Sequence, residues 1–238
     1  MSLTVESLSY TYGAKPALED VSFSVAGGQF AALLGPNGAG KSTVFALATR
    51  LFATQSGTVS VAGNNLSANP LKALAALGVL FQQSTLDLDL TVRQNLRYFA
   101  ALHGLSGRRV DDRIEEVLGQ LDMAERAGET VRKLNGGHRR RTEIARALLH
   151  EPKALLLDEP TVGLDAPTRE ALVAHVHGLC AETGLTVLWT THLTDEVWDA
   201  DQVILLHRGR VLADGPCGAL RGDATLPAYF ADMTGVDA

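Results

Sequence analysis

The sequence predicts an α/β fold with three parts: a mainly parallel, covered sheet, an antiparallel β region towards the N-terminus, and a helical insertion. Three observations carry this. Short, nearly all-apolar runs at Gln29–Leu34, Ala154–Leu157 and Thr186–Thr191 stand beside helical patterns, as parallel strands buried on both faces do. The first thirty residues alternate in the manner of strands instead. Between residues 85 and 150 the apolar spacing becomes that of helices. One domain over 1–238 is expected, with 1–84 and 151–238 forming the β region and core, and 85–150 the helical part.

Composition bounds the rest. The chain has 238 residues, 46% hydrophobic and 20% charged, enough for a sizeable core. Its formal net charge of −6 counts against a protein that coats nucleic acid, so no direct nucleic-acid partner is expected. No stretch approaches the roughly 18 apolar residues of a membrane span; the most apolar region, Ala73–Phe81, is broken by Gly78. The start, MSLTVESLSY, lacks the basic and apolar regions of a secretory signal, which favours a cytoplasmic location. Two cysteines, Cys180 and Cys217, exclude a disulfide framework or a Cys-rich zinc site, and read as a helix residue and a loop residue.

Along the chain, Val21-Ser22-Phe23-Ser24-Val25 places its apolar residues on one face, and Gly27-Gly28 marks a turn. The apolar run to Leu34 enters a glycine-rich loop and then a helix over Lys41–Leu51. Gly57–Val61 is a second alternating strand, with a turn at Gly63-Asn64-Asn65. Val92, Leu96 and Phe99 recur at helical spacing. So do Val110, Ile114, Val117, Leu118 and Leu121, among Arg, Asp and Glu. A helix over Pro167–Leu179 carries Pro near its first turn. Val203–Leu206 and Arg210–Ala213 form a hairpin around Gly209. The run Arg139-Arg140-Arg141, with Arg132, Lys133 and Arg146, reads as a solvated helix face. His175 and His177, two apart on a helix, share no face and are expected at the surface.

Chemistry concentrates in two motifs. Gly35-Pro36-Asn37-Gly38-Ala39-Gly40-Lys41-Ser42-Thr43 fits G-x-x-x-x-G-K-[ST] between a buried strand and a helix, the context a phosphate-binding loop requires. Glycines let backbone N–H groups curl around a phosphate, and the helix N-terminus adds positive charge. Lys41 can reach β- and γ-phosphates, and the Ser42 hydroxyl suits Mg²⁺. The strand Ala154–Leu157 ends in Asp158-Glu159. Asp158 at its tip can hold Mg²⁺, while Glu159, pointing to the other face, is placed to polarise a water as general base.

With these motifs, the chain resembles the nucleotide-binding subunit of an ABC transporter over nearly its whole length. Tyr12 sits where that family stacks an aromatic on adenine. Gln82 in Phe81-Gln82-Gln83 best matches its Q-loop glutamine, which also reaches Mg²⁺; Gln83 stays open. Leu134-Asn135-Gly136-Gly137-His138 occupies the signature position, Gly163-Leu164-Asp165 resembles the D-loop, and Thr190-Thr191-His192 ends a strand like the switch histidine. The resemblance implies a P-loop NTPase (RecA-like) core, with ATP and Mg²⁺ as ligands. Lys41, Gln82, Glu159 and His192 would be catalytic, with Asn135, Gly136, Gly137, His138 and Asp165 facing the ATP of a second subunit. It implies a head-to-tail dimer, most simply of identical chains, on the cytoplasmic face of the cell membrane. Separate permease subunits would dock near Gln82–Phe99. The tail, Ala213-Asp214-Gly215 and then 226–235, is similar to that of ATPases serving ABC-2 exporters. The LNGGHRRR variant is similar to ATPases associated with quinoprotein alcohol oxidation.

The sequence departs from the family's LSGGQ at Asn135 and His138. Both glycines persist, Asn suits a helix N-cap, and an active ATPase is expected. His138 is expected to make activity pH-sensitive near neutrality. A nucleotide sensor with slow turnover is the alternative reading of the same two residues.

Overall fold

The two kinds of strand pattern sort into two sheets. In the computed structural model, which describes residues 2–235, β1 (Leu3–Tyr12), β2 (Lys15–Val25), β4 (Ser56–Val61) and β5 (Asn64–Asn65) form an antiparallel sheet, ordered β2-β1-β4-β5. The second sheet is β10-β9-β3-β8-β7-β6. It comprises β3 (Phe30–Leu34), β6 (Leu77–Leu80), β7 (Ala154–Asp158), β8 (Thr186–Thr191), β9 (Gln202–His207) and β10 (Arg210–Pro216). Only β10 runs antiparallel to its neighbour. Every residue of β3 and β8 is buried, as their apolar sequences require of strands covered on both faces.

The helices cover those faces. The short helix α1 (Lys41–Ala48) lies between the sheets, where Val44, Phe45 and Leu47 pack with Val5, Val21 and Phe23 on one side and Leu33 and Leu156 on the other. Leu155 and Leu157 point the opposite way, because successive strand residues alternate faces. There they join α6 (Ala166–Thr183) and the helical part, α3 (Val92–Leu102), α4 (Arg108–Gln120) and α5 (Gly136–Leu148). The helix α2 (Pro70–Ala75) precedes β6; α7 (Cys217–Arg221) and α8 (Leu226–Thr234) close the chain against Leu34, Val203 and Leu205. Among the described residues, no helix is long and apolar enough to cross a membrane.

Several local readings are corrected. The first helix ends at Ala48, not Leu51, because Arg50 turns left-handed (φ 59°) and the Phe52 N–H returns to the Ala46 carbonyl, bringing Phe52 to stack on Tyr10. The turn at 63–65 is placed one residue earlier: Ala62 and Gly63 (φ 48° and 76°) make it, and Asn64–Asn65 pair with β4. Cys217 begins a helix and is buried. The two histidines of α6 are largely covered, His177 by the chain after β8 and His175 by the end of α4. The His177 ring stacks between Phe30 and Trp198, at 3.9 and 3.8 Å between centroids, with Nε2 2.9 Å from Asp201 Oδ1. His175 Nε2 lies 2.5 Å from the Gln120 carbonyl.

One buried acid holds the same segment. Glu196 is 1% exposed and accepts hydrogen bonds from the Thr161 hydroxyl and, at 2.9 Å, from the Trp189 indole N–H. Glu196→Leu strands both donors and is expected to destabilise the fold by about 2 kcal/mol. Urea unfolding measures this; a change below about 0.5 kcal/mol would show the two bonds contribute nothing net.

Candidate active site

The loop from Gly35 to Gly40 joins the C-terminal end of β3 to the first turn of α1. Gly40 is the N-cap, at φ 112°, and a Cβ there would lie 2.8 Å from Leu18 Cδ2 and 3.0 Å from the Ala17 carbonyl oxygen. Only glycine combines that backbone with that clearance. The next residue, Lys41, is 5% exposed, and its Nζ donates to the Gly35 carbonyl at 2.6 Å and lies 3.3 Å from that of Pro36. Burial lowers the Lys41 pKa, against the opposing pull of Glu159 and Asp158. Ser42 follows on the exposed side of the helix start.

The acidic pair ends β7. Burial raises the Asp158 pKa, and Glu159 adds to that; the Thr190 hydroxyl, donating to Asp158 Oδ1 at 2.7 Å, opposes it. Glu159 is left-handed (φ 43°), a conformation that is strained for a residue with a side chain. Its backbone N–H is held by the Thr190 hydroxyl oxygen at 3.0 Å. This turn swings the carboxylate to where three other residues meet it. Lys41 Nζ is 3.6 Å from Oε1, His192 Nδ1 is 3.3 Å from Oε1, and Gln82 Nε2 donates to Oε2 at 3.4 Å. Of Gln82 and Gln83, Gln82 is the one that reaches Glu159.

An open cavity of about 380 Å³ lies over the loop, lined by Tyr12, Asn37, Gly38, Lys41, Ser42 and Glu159. That volume suits a nucleotide-sized ligand. Tyr12, 48% exposed, stands edge-on to Tyr10 with its hydroxyl 3.4 Å from Thr43 Oγ1, offering an aromatic surface at the rim. The Asp158 carboxylate, the Ser42 hydroxyl and the Gln82 amide are oxygen donors of the hard kind that a small divalent cation takes.

The signature residues form a separate group that does not line this cavity. Asn135 caps α5, its Oδ1 accepting from the His138 N–H at 2.8 Å, and Asp165 caps α6 by accepting from the Thr168 N–H at 2.8 Å. These caps sit side by side. A Cβ on Gly137 would lie 2.5 Å from Thr168 Cγ2, and one on Gly136 would lie 3.0 Å from Leu164 Cδ2. The His138 pKa is lowered from its ordinary value, first by burial and then by Arg126 and Arg141, against the opposing pull of Glu129.

Three contributors carry no sequence motif. Lys15 and Arg208 add positive charge to the cavity wall. The turn after Arg208 supports the loop, its Gly209 N–H bonding the Ala39 carbonyl at 2.8 Å. Arg140 is the third. The expected solvated face of α5 is wrong for Arg140 and Arg146, each 7% exposed, because the segment after β6 packs over them.

A family profile described as ABC transporter matches residues 18–162. A linearmycin resistance ATP-binding protein of Bacillus subtilis (strain 168) is 35% identical over 229 residues, covering 94% of this chain and 73% of that protein. A daunorubicin resistance ATP-binding protein of Streptomyces coeruleorubidus is 37% identical over 223 residues, covering 93% and 70%. Among solved structures, an ATP-binding subunit of an ABC transporter superposes with a TM-score of 0.84 at 29% identity, over 98% of this chain and 99% of that one. A dimeric ATP-binding cassette in a post-hydrolysis state, bound to ADP and Pi, superposes at 0.76 with 26% identity, over 90% and 98%.

Proposed function

Because the chain belongs to the ABC transporter family, as an exporter-type ATP-binding subunit that hydrolyses ATP, we propose that Lys41, Gln82, Glu159 and His192 perform that hydrolysis on a nucleotide held by the 35–43 loop. The observation that carries the reading is the convergence of the other three on Glu159, beside a cavity floored by the loop. Backbone N–H groups of 38–43 and the N-terminus of α1 receive the phosphates. Lys41 leaves the Gly35 and Pro36 carbonyls for the phosphate oxygens, exchanging neutral acceptors for charged ones. Tyr12 stacks on the base. Glu159 orients a water and takes its proton, and His192 holds the Glu159 carboxylate in place while contacting the γ-phosphate. Mg²⁺, held by Ser42, Asp158 and Gln82, would supply charge neutralisation across the phosphates.

Domains of this family work as dimers with membrane permease subunits. We assign the second group, Asn135 to His138 with Asp165, to the ATP of an identical partner chain. A two-fold, head-to-tail pair then closes both cavities with the helix end of the other copy. The permeases are of the ABC-2 exporter kind, which places this chain on the cytoplasmic face of the cell membrane. The names of the relatives, antibiotic resistance and export proteins, support this direction.

Purified chain is expected to hydrolyse ATP with Mg²⁺ and to lose that activity in excess chelator. The two departures from the usual signature test the alternative of a slow sensor. Asn135 already makes the helix cap, so Asn135→Ser with His138→Gln is expected to change kcat by less than about threefold, under about 0.7 kcal/mol. A rise of about tenfold or more would favour the sensor.

A further inference from the structure

The α5 helix carries three charged residues at successive spacings of three, Arg140, Glu143 and Arg146, exposed by only 7%, 1% and 7%. Charges are buried only where partners hold them. Here the partners are concentrated on one short segment after β6. Arg140 Nη1 donates to the Phe81 carbonyl at 3.0 Å and to Glu143 Oε2 at 2.8 Å, while Nη2 donates to the Gln82 carbonyl at 2.5 Å. Glu143 Oε1 accepts from the Thr85 N–H at 3.3 Å, and Arg146 Nη1 donates to the Thr85 hydroxyl at 2.5 Å. The Arg146 guanidinium also lies 4.4 Å from the Phe99 ring centroid on α3.

The Gln82 side chain, by contrast, is exposed, with one 3.4 Å hydrogen bond to Glu159. One long contact fixes a glutamine amide weakly; two guanidinium bonds to the carbonyls of residues 81 and 82 fix its backbone firmly. We infer that Arg140 is a positioning residue for Gln82, and that the Arg140–Glu143–Arg146 ladder ties its place in the active site to the helix that begins at Asn135. The inference rests on the proposed role of Gln82. A tilt of α5 then moves the Gln82 backbone with it, so the signature half-site and the Glu159 half-site of one chain do not reposition independently. Lysine cannot replace this arginine, because a single ammonium lacks the fork that spans two carbonyls and a carboxylate.

The test is a double-mutant cycle. Arg140→Lys and Arg140→Gln are made alone and with Gln82→Ala, and ATP hydrolysis is followed against ATP and Mg²⁺ concentration. Each Arg140 variant is expected to lower kcat about tenfold, the weight of one charged hydrogen bond, with KM for ATP within about twofold. Half-saturating Mg²⁺ rises, and neither variant lowers the rate further once Gln82 is alanine. Equal losses with and without Gln82, or a kcat within about twofold of the parent, overturn the positioning role. If Gln82→Ala itself leaves kcat unchanged, the reading of Gln82 fails first. Should Arg140→Gln not fold, Arg140→Lys, whose charge stays beside Glu143, decides alone.

Discussion

Replacing Glu159 by glutamine is expected to lower kcat for ATP hydrolysis by about 10²–10⁴-fold, the range a general base contributes, while leaving ATP binding intact. The substitution keeps the shape of the side chain and its place on the strained turn at φ 43°, so the fold has no reason to change. It removes the carboxylate placed to take a proton from water, which neither the Gln82 amide nor a charged Lys41 can replace. It also removes a negative charge from the neighbourhood of Asp158, whose pKa is raised partly by Glu159. A triphosphate therefore meets less repulsion in the variant, and ATP-bound dimers are expected to accumulate, visible by size-exclusion chromatography. A variant that turns over within tenfold of the parent would move the base elsewhere.

What the sequence disclosed depended on how local the cause was. Lys41, Ser42, Asp158, Glu159 and His192 each stand at a strand end or helix start, and the apolar runs that make those strands are unmistakable, so their places could be read. The preference for Gln82 over Gln83 came only from the resemblance, since alternation says no more than that neighbours point apart. The backbone turn at Glu159 has no sequence signal either; the Thr190 hydroxyl, across the sheet on β8, holds its N–H. Arg140 was hidden for a similar reason. A run of three arginines looks solvated until one knows that the carbonyls of residues 81 and 82 lie beside one of them. His177 is covered by Trp198 from a segment 21 positions later in the chain, which no helical periodicity can report.

Lys41→Met is expected to separate stability from function more sharply than any other change. With nucleotide, the lysine exchanges carbonyl partners for phosphate oxygens, and losing such charged bonds weakens ATP binding by roughly 10–100-fold. Without nucleotide the same lysine is a liability: burial lowers its pKa, so the fold disfavours its charged form. Methionine fills a comparable space without that cost, and replacing buried charge by an apolar group is often neutral or stabilising. The melting temperature of the ligand-free variant is therefore expected to equal or exceed that of the parent, while the upward shift given by a fixed ATP concentration is reduced. The pH dependence fixes the sign. A lysine whose folded pKa lies below its unfolded value of 10.5 destabilises the fold while charged. The ligand-free parent then gains stability as pH rises from the folded pKa towards the unfolded one. Phosphate favours the charged form, so ATP affinity of the parent falls over the same rise. Both trends should flatten in Lys41→Met; a variant that melts well below the parent without nucleotide would mean that the bonds to Gly35 and Pro36 outweigh the burial of the charge.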